Sequence, residues 1–339
     1  MSKQSSVHLS KILKINILFS LFLVFMTGKV LAADGGAETF NPGEMINHHI
    51  KDSHVWEIWH GMSVYLPVMV YSEENGLDVF SSARFFDEHH QAVSYKGYSM
   101  EHEHITLEGG GHLMDFSITK NVLFLLINSS ILLLVFLSVA RGYKKNVGKA
   151  PKGIQSLFEP IILFVRDEIV KPNIGPKYEK YLPYMLTLFF FIWFGNLLGL
   201  MPGAANLTGN IAVTAVLAIG TLLITNFSGN KNYWGHIFNT PGVPMLLKPI
   251  IVPVEIIGIF TKPISLMIRL FVAITAGHIV ILSLLSLIFI FHSYFVGIGA
   301  TVIVTFINFI ELLVATIQAY VFTMFSSLYI GMAVQDDHH

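Results

Sequence analysis

Four charged side chains lie in a stretch that is otherwise almost entirely apolar. Residues 249–335 contain Glu255, Lys262, Arg269 and Glu311 as their only formally charged residues. A charge at membrane depth costs at least about 2.5–3.5 kcal/mol on insertion scales, so it marks a function or a partner. The guanidinium of Arg269 stays protonated, so it acts as a fixed positive charge that attracts a carboxylate and blocks a proton. The alternative is a structural ion pair with Glu255 or Glu311.

The spacing of these charges predicts one helical stripe. Glu255, Lys262 and Arg269 are seven residues apart each, and Ser265 lies four before Arg269. At 100° per residue they share a face, which small side chains continue and which we expect to press against a partner helix. His278 follows Arg269 by nine residues and falls on the opposite side of an ideal helix.

A second polar stripe is predicted on the last apolar arm. Asn308, Glu311 and Gln318 share one face there. If the arms fold as a hairpin about residues 292–299, His278 and Glu311 are nearly equidistant from the turn and could meet. Both groups can relay protons, the carboxylate where burial raises its pKa. The alternative is a buried pair that only joins the two arms.

The composition indicates whether these helices fold in water or in lipid. The 339 residues are 53% hydrophobic and 13% charged, and the mean hydropathy is +0.62. Soluble domains carry about 25% charged residues, so an ordinary soluble enzyme is excluded. The net charge of −1 and the absence of cysteine argue against a nucleic-acid partner and thiolate metal sites. We predict an all-α protein that crosses the lipid bilayer several times.

The chain divides into four regions. Residues 1–33 read as a secretory signal peptide, cleaved after Ala32 or Ala33, although a retained first helix is the alternative. Residues 34–115 are predicted to lie in the periplasm, 116–335 to form the membrane domain, and 336–339 a cytoplasmic tail.

The membrane domain is predicted to contain about five membrane helices. Residues 121–140 form the first, and the positive residues that follow place its end in the cytoplasm. Residues 154–170 have the pattern of an amphipathic helix on the cytoplasmic surface. Residues 182–230 form a hairpin that breaks near 201–203. Residues 249–291 would be about 65 Å long as one helix, so they are tilted, bent at a proline or split. We favour a long, tilted C-terminal hairpin with a bend.

The outer segment is acidic and rich in histidine. Residues 34–115 hold 14 acidic and three basic residues and nine of the 15 histidines. Val64–Tyr71 has the pattern of a strand whose proline suggests a sheet edge. We expect a small β-rich element. Zinc or copper binding, proton buffering and a plain solvated surface remain alternatives for the histidines, which include His48, His49, His54, His102 and His104.

Two motifs resemble subunit a of the F-type ATP synthase. The run from Lys262 through Arg269 to His278, Lys-Pro-Ile-Ser-Leu-Met-Ile-Arg-Leu-Phe and then Ile-Thr-Ala-Gly-His, is similar to the signature of that family. The run Glu-Leu-Leu-Val-Ala-Thr-Ile-Gln from Glu311 to Gln318 is also similar. Weaker matches begin at Phe194 and Val254. The resemblance covers roughly residues 116–335.

The resemblance implies a stator beside a rotating ring of c subunits. Arg269 would face the ring carboxylates and separate two proton half-channels. Protons would pass Asn196, His278, Glu311 and Gln318 from the periplasm and leave near Ser265 and Glu255. The family implies the c-ring, peripheral-stalk subunit b and other ATP synthase subunits as partners. It implies no bound nucleotide or other cofactor, no metal and no catalysis by this chain alone.

The chain departs from the commonest bacterial pattern at two places. Many members have an acid at the position of His278 and a histidine at that of Glu311, so the pair is exchanged here. Many also have Gly-Asn where this chain has Val272-Ala273, which removes one polar candidate. A self-contained ion transporter and a scaffold that uses Arg269 for assembly only are the other hypotheses. Transporters usually show inverted repeats, and we find none.

Overall fold

The computed structural model describes residues 42–43, 51–59, 62–73, 76–87, 93–101, 103–107, 110–201, 203–239, 244–291 and 293–335. By its contacts the chain divides into residues 1–40 and 41–339, and every described residue belongs to the second unit. Some predictions lie outside the described residues, namely those for the signal peptide, the tail 336–339, His48, His49 and His102.

The described part of the membrane domain is helical. In chain order the helices are α1 (Lys120–Lys145), α2 (Ile154–Phe164), α3 (Lys171–Ile174), α4 (Tyr178–Gly199), α5 (Ile211–Phe227), α6 (Lys231–Phe238), α7 (Lys248–Phe291) and α8 (Tyr294–Val334). Among the described residues, four runs are long and apolar enough to cross a membrane: α1, the run from α2 to α4, α7 and α8. Helices α5 and α6 meet at 100° and make a fifth span if they are taken as one. The prediction of a helical protein with several membrane spans is confirmed.

Helix α1 begins where the outer segment supplies acceptors for its first amide groups. Thr119 Oγ1 accepts a hydrogen bond from the backbone N–H of Val122 at 3.5 Å. Asp52 Oδ1 accepts one from the backbone N–H of Asn121 at 3.0 Å. Negative charge at a helix N-terminus stabilises it by about 0.3–1 kcal/mol. The 26 residues then span about 39 Å, which is enough to cross a bilayer.

The segment predicted as one amphipathic surface helix is more irregular and more buried. Helix α2 passes into a π-helix at Val165–Val170 and then into α3. Val165 and Ile169 are fully buried in the helical core, together with Phe158 of α2. A π-helix adds a residue to the turn, which lets these side chains stay on the core face. Periodicity at 3.6 residues per turn could not have indicated this irregularity.

The C-terminal hairpin differs from the prediction in its turn. Helix α7 is one helix of 44 residues with Pro253 and Pro263 inside it, so it is not split. Helix α7 ends at Phe291 and α8 begins at Tyr294, so the predicted turn glycines Gly297 and Gly299 lie within α8. Glycine inside a helix costs only about 1 kcal/mol relative to alanine. Lipid offers the backbone no hydrogen-bond partners, so helical hydrogen bonds outweigh this cost.

Aromatic side chains fill much of the helical core. The rings of Phe136 on α1 and Phe190 on α4 lie 4.7 Å apart at 65°. Phe158 on α2 packs edge-on against Phe194 on α4 at 5.9 Å. Such edge-to-face pairs contribute about 0.5–1.5 kcal/mol beyond the area that they bury. They fix α4 between α1 and α2.

The outer segment contains short antiparallel strands. They are β1 (Val55–Trp59), β2 (Met62–Tyr65), β3 (Pro67–Ser72), β4 (Gly76–Ser81), β5 (Tyr98–Glu101), β6 (His104–Leu107) and β7 (Leu113–Asp115). They pair as β1–β2, β4–β3–β7 and β5–β6. The strand predicted at Val64–Tyr71 is therefore two strands, interrupted at Leu66. Pro67 is the first residue of β3, where a proline is tolerated, and β3 is the central strand rather than an edge.

A tryptophan attaches these strands to the helices. The indole N–H of Trp56 donates to the carbonyl of Gly203, in the connection between α4 and α5, at 2.8 Å. Its ring packs edge-on against Phe124 of α1 at 5.2 Å. Gly203 has a φ of +76°, and a Cβ there would lie 3.0 Å from two carbonyl oxygens of β1. A glycine is therefore required at this contact.

A buried histidine lies between two acidic side chains of the outer segment. His54 is 3% exposed. Its Nε2 lies 3.6 Å from Asp115 Oδ2, and its Nδ1 lies 3.9 Å from Glu103 Oε2. These are ion-pair distances rather than hydrogen-bond distances. Burial lowers the pKa of His54, but the two neighbouring carboxylates outweigh it and raise this pKa to about 9.

We predict that the outer segment loses stability as the pH rises through about 9. The pKa of His54 is raised from 6.5, so its contribution is complete below pH 6.5 and disappears as the ring loses its proton. At about 1.4 kcal/mol per unit of pKa, the rise from 6.5 to about 9 corresponds to a loss of about 3 kcal/mol between pH 6 and pH 9.5. Pulse proteolysis in urea, scored for cleavage within residues 55–115 at pH 6 and pH 9.5, measures it.

The matched control is His54→Gln, which should be less stable at pH 6 and nearly insensitive to pH over this range. Burial raises the pKa of Asp115, but His54 outweighs this effect and lowers it to about 2. The stability that Asp115 contributes is lost only below pH 3.8, so it does not affect the comparison between pH 6 and pH 9.5. A wild-type protein with equal urea midpoints at pH 6 and 9.5 would contradict the prediction.

Candidate functional site

The structure brings His278 of α7 and Glu311 of α8 together. His278 Nδ1 and Glu311 Oε1 are 2.9 Å apart, and the two side chains are 23% and 3% exposed. The distance suits a hydrogen bond, but within the described part of the chain Glu311 Oε1 has no partner with hydrogen-bond alignment. The contact is thus a short pairing of two proton-exchanging groups.

A glycine makes room for this pair. A Cβ on Gly277 would lie 2.8 Å from Glu311 Oε1 and 3.2 Å from its Cδ. Real Cβ atoms essentially never show so short a contact. Any larger residue at this position must therefore displace the Glu311 carboxylate or the helix that carries it. Glycine before a histidine was part of the sequence motif, but its steric role appears only in the structure.

Arg269 also faces α8, through an aromatic side chain. Its guanidinium carbon lies 4.5 Å from the ring centroid of Phe325. Among the described residues, Arg269 forms no ion pair with Glu255 or Glu311 within 4 Å. The structural ion pair that the sequence left open is therefore absent from that part of the chain.

Arg269 and His278 both reach α8 although an ideal helix puts them on opposite sides. The buried stripe of α7 consists of Leu266, Leu270 and Ile274, each at most 2% exposed. Arg269 lies on one flank of this stripe and His278 on the other, and each side chain is long enough to reach the neighbouring helix. For this reason Arg269 and His278 can both contact α8, although they lie on opposite sides of an ideal α7.

Asn196 of α4 joins the site from a third helix. It is 1% exposed. Its Nδ2 donates to the carbonyl of Ala315 at 3.1 Å, and its Oδ1 accepts from Thr208 Oγ1 at 2.7 Å. Ala315 follows Glu311 by one helical turn. The Asn196 amide thus holds α4 and the α4–α5 connection against α8 beside the His278–Glu311 pair. Nothing in the sequence singled out Thr208.

The other predicted site residues are more widely distributed. Ser265 and Asn308 are exposed, whereas Glu255, Lys262 and Gln318 are half-buried. The described residues show no contact that draws these five into one cluster. They lie at separate positions along α7 and α8 instead.

A cleft near Lys262 was not anticipated. It is narrow, lies between α5, α6, α7 and α8, and presents a mostly apolar surface. Polar side chains in its wall are Thr221, Thr225, Asn226, Tyr233, Lys262 and Tyr329. The buried hydroxyl of Thr225 has no hydrogen-bond partner in the described part of the chain. The spacing of Thr214, Thr221 and Thr225 on one face of apolar α5 is the sequence signal that could have revealed it.

A chain of hydroxyl groups crosses the core beside this cleft. Tyr184 Oη and Thr221 Oγ1 are 3.1 Å apart, and Thr221 Oγ1 and Ser326 Oγ are 3.1 Å apart. They link α4, α5 and α8. Within the described residues, no three histidine, aspartate or glutamate side chains converge as a metal site would require.

The fold and the site define a polytopic helical membrane protein in which two long, apolar C-terminal helices carry a few ionisable side chains, among them Arg269 and the His278–Glu311 pair. The ATP synthase A chain family matches residues 122–331. A domain of unknown function, DUF8433, matches residues 45–122. The chain therefore belongs to the ATP synthase subunit a family. It is a non-catalytic, proton-translocating membrane subunit, and its partners are other ATP synthase subunits.

The relatives cover most of the chain. ATP synthase subunit a of Chloroherpeton thalassium is 46% identical over 239 residues, which are 69% of this chain and 71% of the relative. ATP synthase subunit a 2 of Prosthecochloris aestuarii is 40% identical over 314 residues, 91% of this chain and 83% of the relative. The second match extends through much of the outer segment as well as the membrane domain. Nothing in these matches favours a self-contained transporter.

We predict that Gly277→Ala lowers proton pumping by about tenfold or more. The added methyl group cannot coexist with the observed position of Glu311, and overpacking a tight contact costs about 1–3 kcal/mol. The measurement is ATP-driven acidification of inverted membrane vesicles, normalised to the amount of this subunit in the assembled complex. Gly299→Ala on α8 is the matched control, because a Cβ there meets open space. Equal pumping by the two variants would refute the steric role of Gly277.

Proposed function

We propose that this chain is the stator of a bacterial ATP synthase and that Arg269 faces the membrane carboxylates of a c-subunit ring. One observation carries the proposal. Arg269 is half-buried against α8, yet among the described residues its N–H donors form no hydrogen bond. Ile264, Ile268 and Val272, which lie near it along α7, are each about half exposed. This part of α7 offers an apolar surface with one available cation, which suits a ring that carries carboxylates.

The His278–Glu311 pair forms the inner end of the inlet half-channel. His278 lies nine residues beyond Arg269, about 13.5 Å along α7, toward the end that the hairpin turn closes. Asn196 lies near the C-terminal end of α4, which leads to Gly203. Gly203 in turn contacts Trp56 of the outer segment. Polar groups of α4, α7 and α8 therefore gather toward the side of the outer segment. Gln318 and Asn308 extend this path along α8.

The outlet half-channel lies toward the other end of α7. Glu255, Lys262 and Ser265 precede Arg269 on that helix, and a narrow cleft between α5, α6 and α8 lies beside Lys262. The guanidinium of Arg269 separates the two routes. A proton can then pass between them only on a ring carboxylate, and ring rotation is coupled to proton flow.

The orientation follows from the distribution of positive charge. Helix α1 ends in basic residues, which favours the cytoplasm for that end; they are Arg141, Lys144 and Lys145. The outer strands precede α1 and therefore lie in the periplasm, and the C-terminus of α8 lies in the cytoplasm. The chain resides in the inner membrane, preceded by a cleaved signal peptide. The exposed apolar side chains of α1, such as Leu133 and Leu134, suit contact with lipid or with subunit b.

We predict that Arg269→Ala and Arg269→Lys both abolish ATP-driven acidification of inverted vesicles while the complex still assembles. An ammonium group loses its proton more readily when it is desolvated, and it lacks the planar fork that binds a carboxylate. Arg166→Lys is the matched control. Arg166 is exposed and bonded to Asp167, so this change should leave pumping within twofold of the wild type.

The same experiment separates the stator from a scaffold. A cation that serves assembly only would tolerate Arg269→Lys in part, and the loss of pumping would follow the loss of complex. Near-normal acidification by assembled Arg269→Ala complexes would rule out the proposed function.

A further inference from the structure

The guanidinium of Arg269 lies against the face of an aromatic ring. The distance of 4.5 Å to the centroid of Phe325 is well within the roughly 6 Å over which a cation and a ring attract each other. Phe325 is half-buried on α8. Among the described residues, the Arg269 guanidinium forms no hydrogen bond and no ion pair. The ring therefore determines where the guanidinium lies in this structure.

Phe325 is half of an aromatic pair on one face of α8. Its ring centroid lies 6.1 Å from that of Tyr329, four residues later, at an interplanar angle of 36°. The ammonium nitrogen of Lys262 lies 5.5 Å from the Tyr329 centroid. Two cations of α7 thus contact two successive rings of α8.

The spacing of the two contacts fits antiparallel helices. Lys262 and Arg269 are about 10.5 Å apart along α7, whereas Phe325 and Tyr329 are about 6 Å apart along α8. The order reverses between the helices, since the earlier cation meets the later ring. The long side chains of Lys262 and Arg269 absorb the difference of about 4.5 Å as they converge on the rings. The two contacts are therefore one arrangement and not two separate coincidences.

A ring holds a guanidinium in a way that a carboxylate does not. A carboxylate binds the N–H groups in the guanidinium plane and neutralises the charge. A ring attracts the cation through its electrons and leaves the five N–H donors available. A stator arginine needs both a fixed position and available donors, and of these two partners only the ring provides both.

We infer that Phe325 is a positioning residue for Arg269, supported by Tyr329, which fixes the guanidinium without occupying its N–H donors. This inference rests on the proposed function, because it explains how the cation that faces the c-subunit ring is held in place. The sequence analysis did not single out either aromatic residue. The group that would bind the available N–H donors is a carboxylate of the neighbouring c-subunit ring.

The test compares three variants in the assembled complex. Phe325→Leu removes the ring but keeps an apolar side chain, and Phe325→Tyr keeps the ring. Phe322→Leu is the matched control, because Phe322 lies one turn away on α8 and is 2% exposed in the core. Each variant is measured for its amount in the complex, for ATP-driven acidification of inverted vesicles, and for passive proton permeability without ATP.

We expect Phe325→Leu to lower acidification about three- to tenfold, as loss of a partly desolvated cation–ring contact implies. Passive proton permeability should rise, because a mobile guanidinium separates the half-channels less well. Phe325→Tyr should retain at least half of the wild-type acidification. Phe322→Leu should affect the amount of complex but not the acidification per complex. If Phe325→Leu does not assemble, Phe325→Met replaces it.

Three results would overturn the inference: acidification by Phe325→Leu within twofold of the wild type, an equal loss in Phe325→Tyr, or an equal loss per complex in Phe322→Leu. Arg269→Ala is measured in parallel. If Arg269→Ala pumps normally, the proposed function fails and the inference fails with it. If Arg269→Ala is inactive and Phe325→Leu is normal, only the positioning role of Phe325 is wrong.

Discussion

The antiparallel contact between α7 and α8 determines where the polar groups of this protein meet. Lipid cannot satisfy a buried polar group, so each one depends on a partner in the protein. Helix α8 presents alanines at this level, among them Ala315 and Ala319, which are fully buried. Small side chains allow helices to approach closely. The approach of α7 brings His278 to Glu311, and the approach of α4 brings Asn196 to the carbonyl of Ala315.

The same contact places Arg269 and Glu311 in different surroundings on neighbouring helices. Glu311 is almost fully buried and faces His278, whereas Arg269 is half-buried and faces Phe325. The guanidinium therefore has no carboxylate partner among the described residues. The hydroxyl chain through Thr221 and Ser326 ties α5 to α8 nearby. Glu311, Asn196, Thr221 and Ser326 thus each meet a polar group at a helix contact.

The sequence predicted that His278 and Glu311 meet, but it did not predict the detailed shapes of the helices around them. Spacing from the hairpin turn was enough to expect His278 near Glu311, because both arms are regular helices. His278 lies 13 residues before the end of α7 and Glu311 lies 17 residues after the start of α8, a difference of about 6 Å that the two side chains bridge. Spacing was not enough to foresee the π-helix at Val165–Val170, since apolar spacing does not record the hydrogen-bond pattern. Nor did it indicate Phe325, because an aromatic residue in an apolar helix is ordinarily a packing residue.

The presence of Arg269 limits where a carboxylate can lie on these two helices. A carboxylate at position 311 would neutralise Arg269 if it could reach the guanidinium, and a bidentate pair of this kind is strong in a water-poor environment. The pairing with His278 keeps Glu311 nine residues along α7 from that arginine, and Gly277 gives the carboxylate its place. An arginine with no carboxylate partner among the described residues and a buried histidine–glutamate pair therefore coexist on the same two helices.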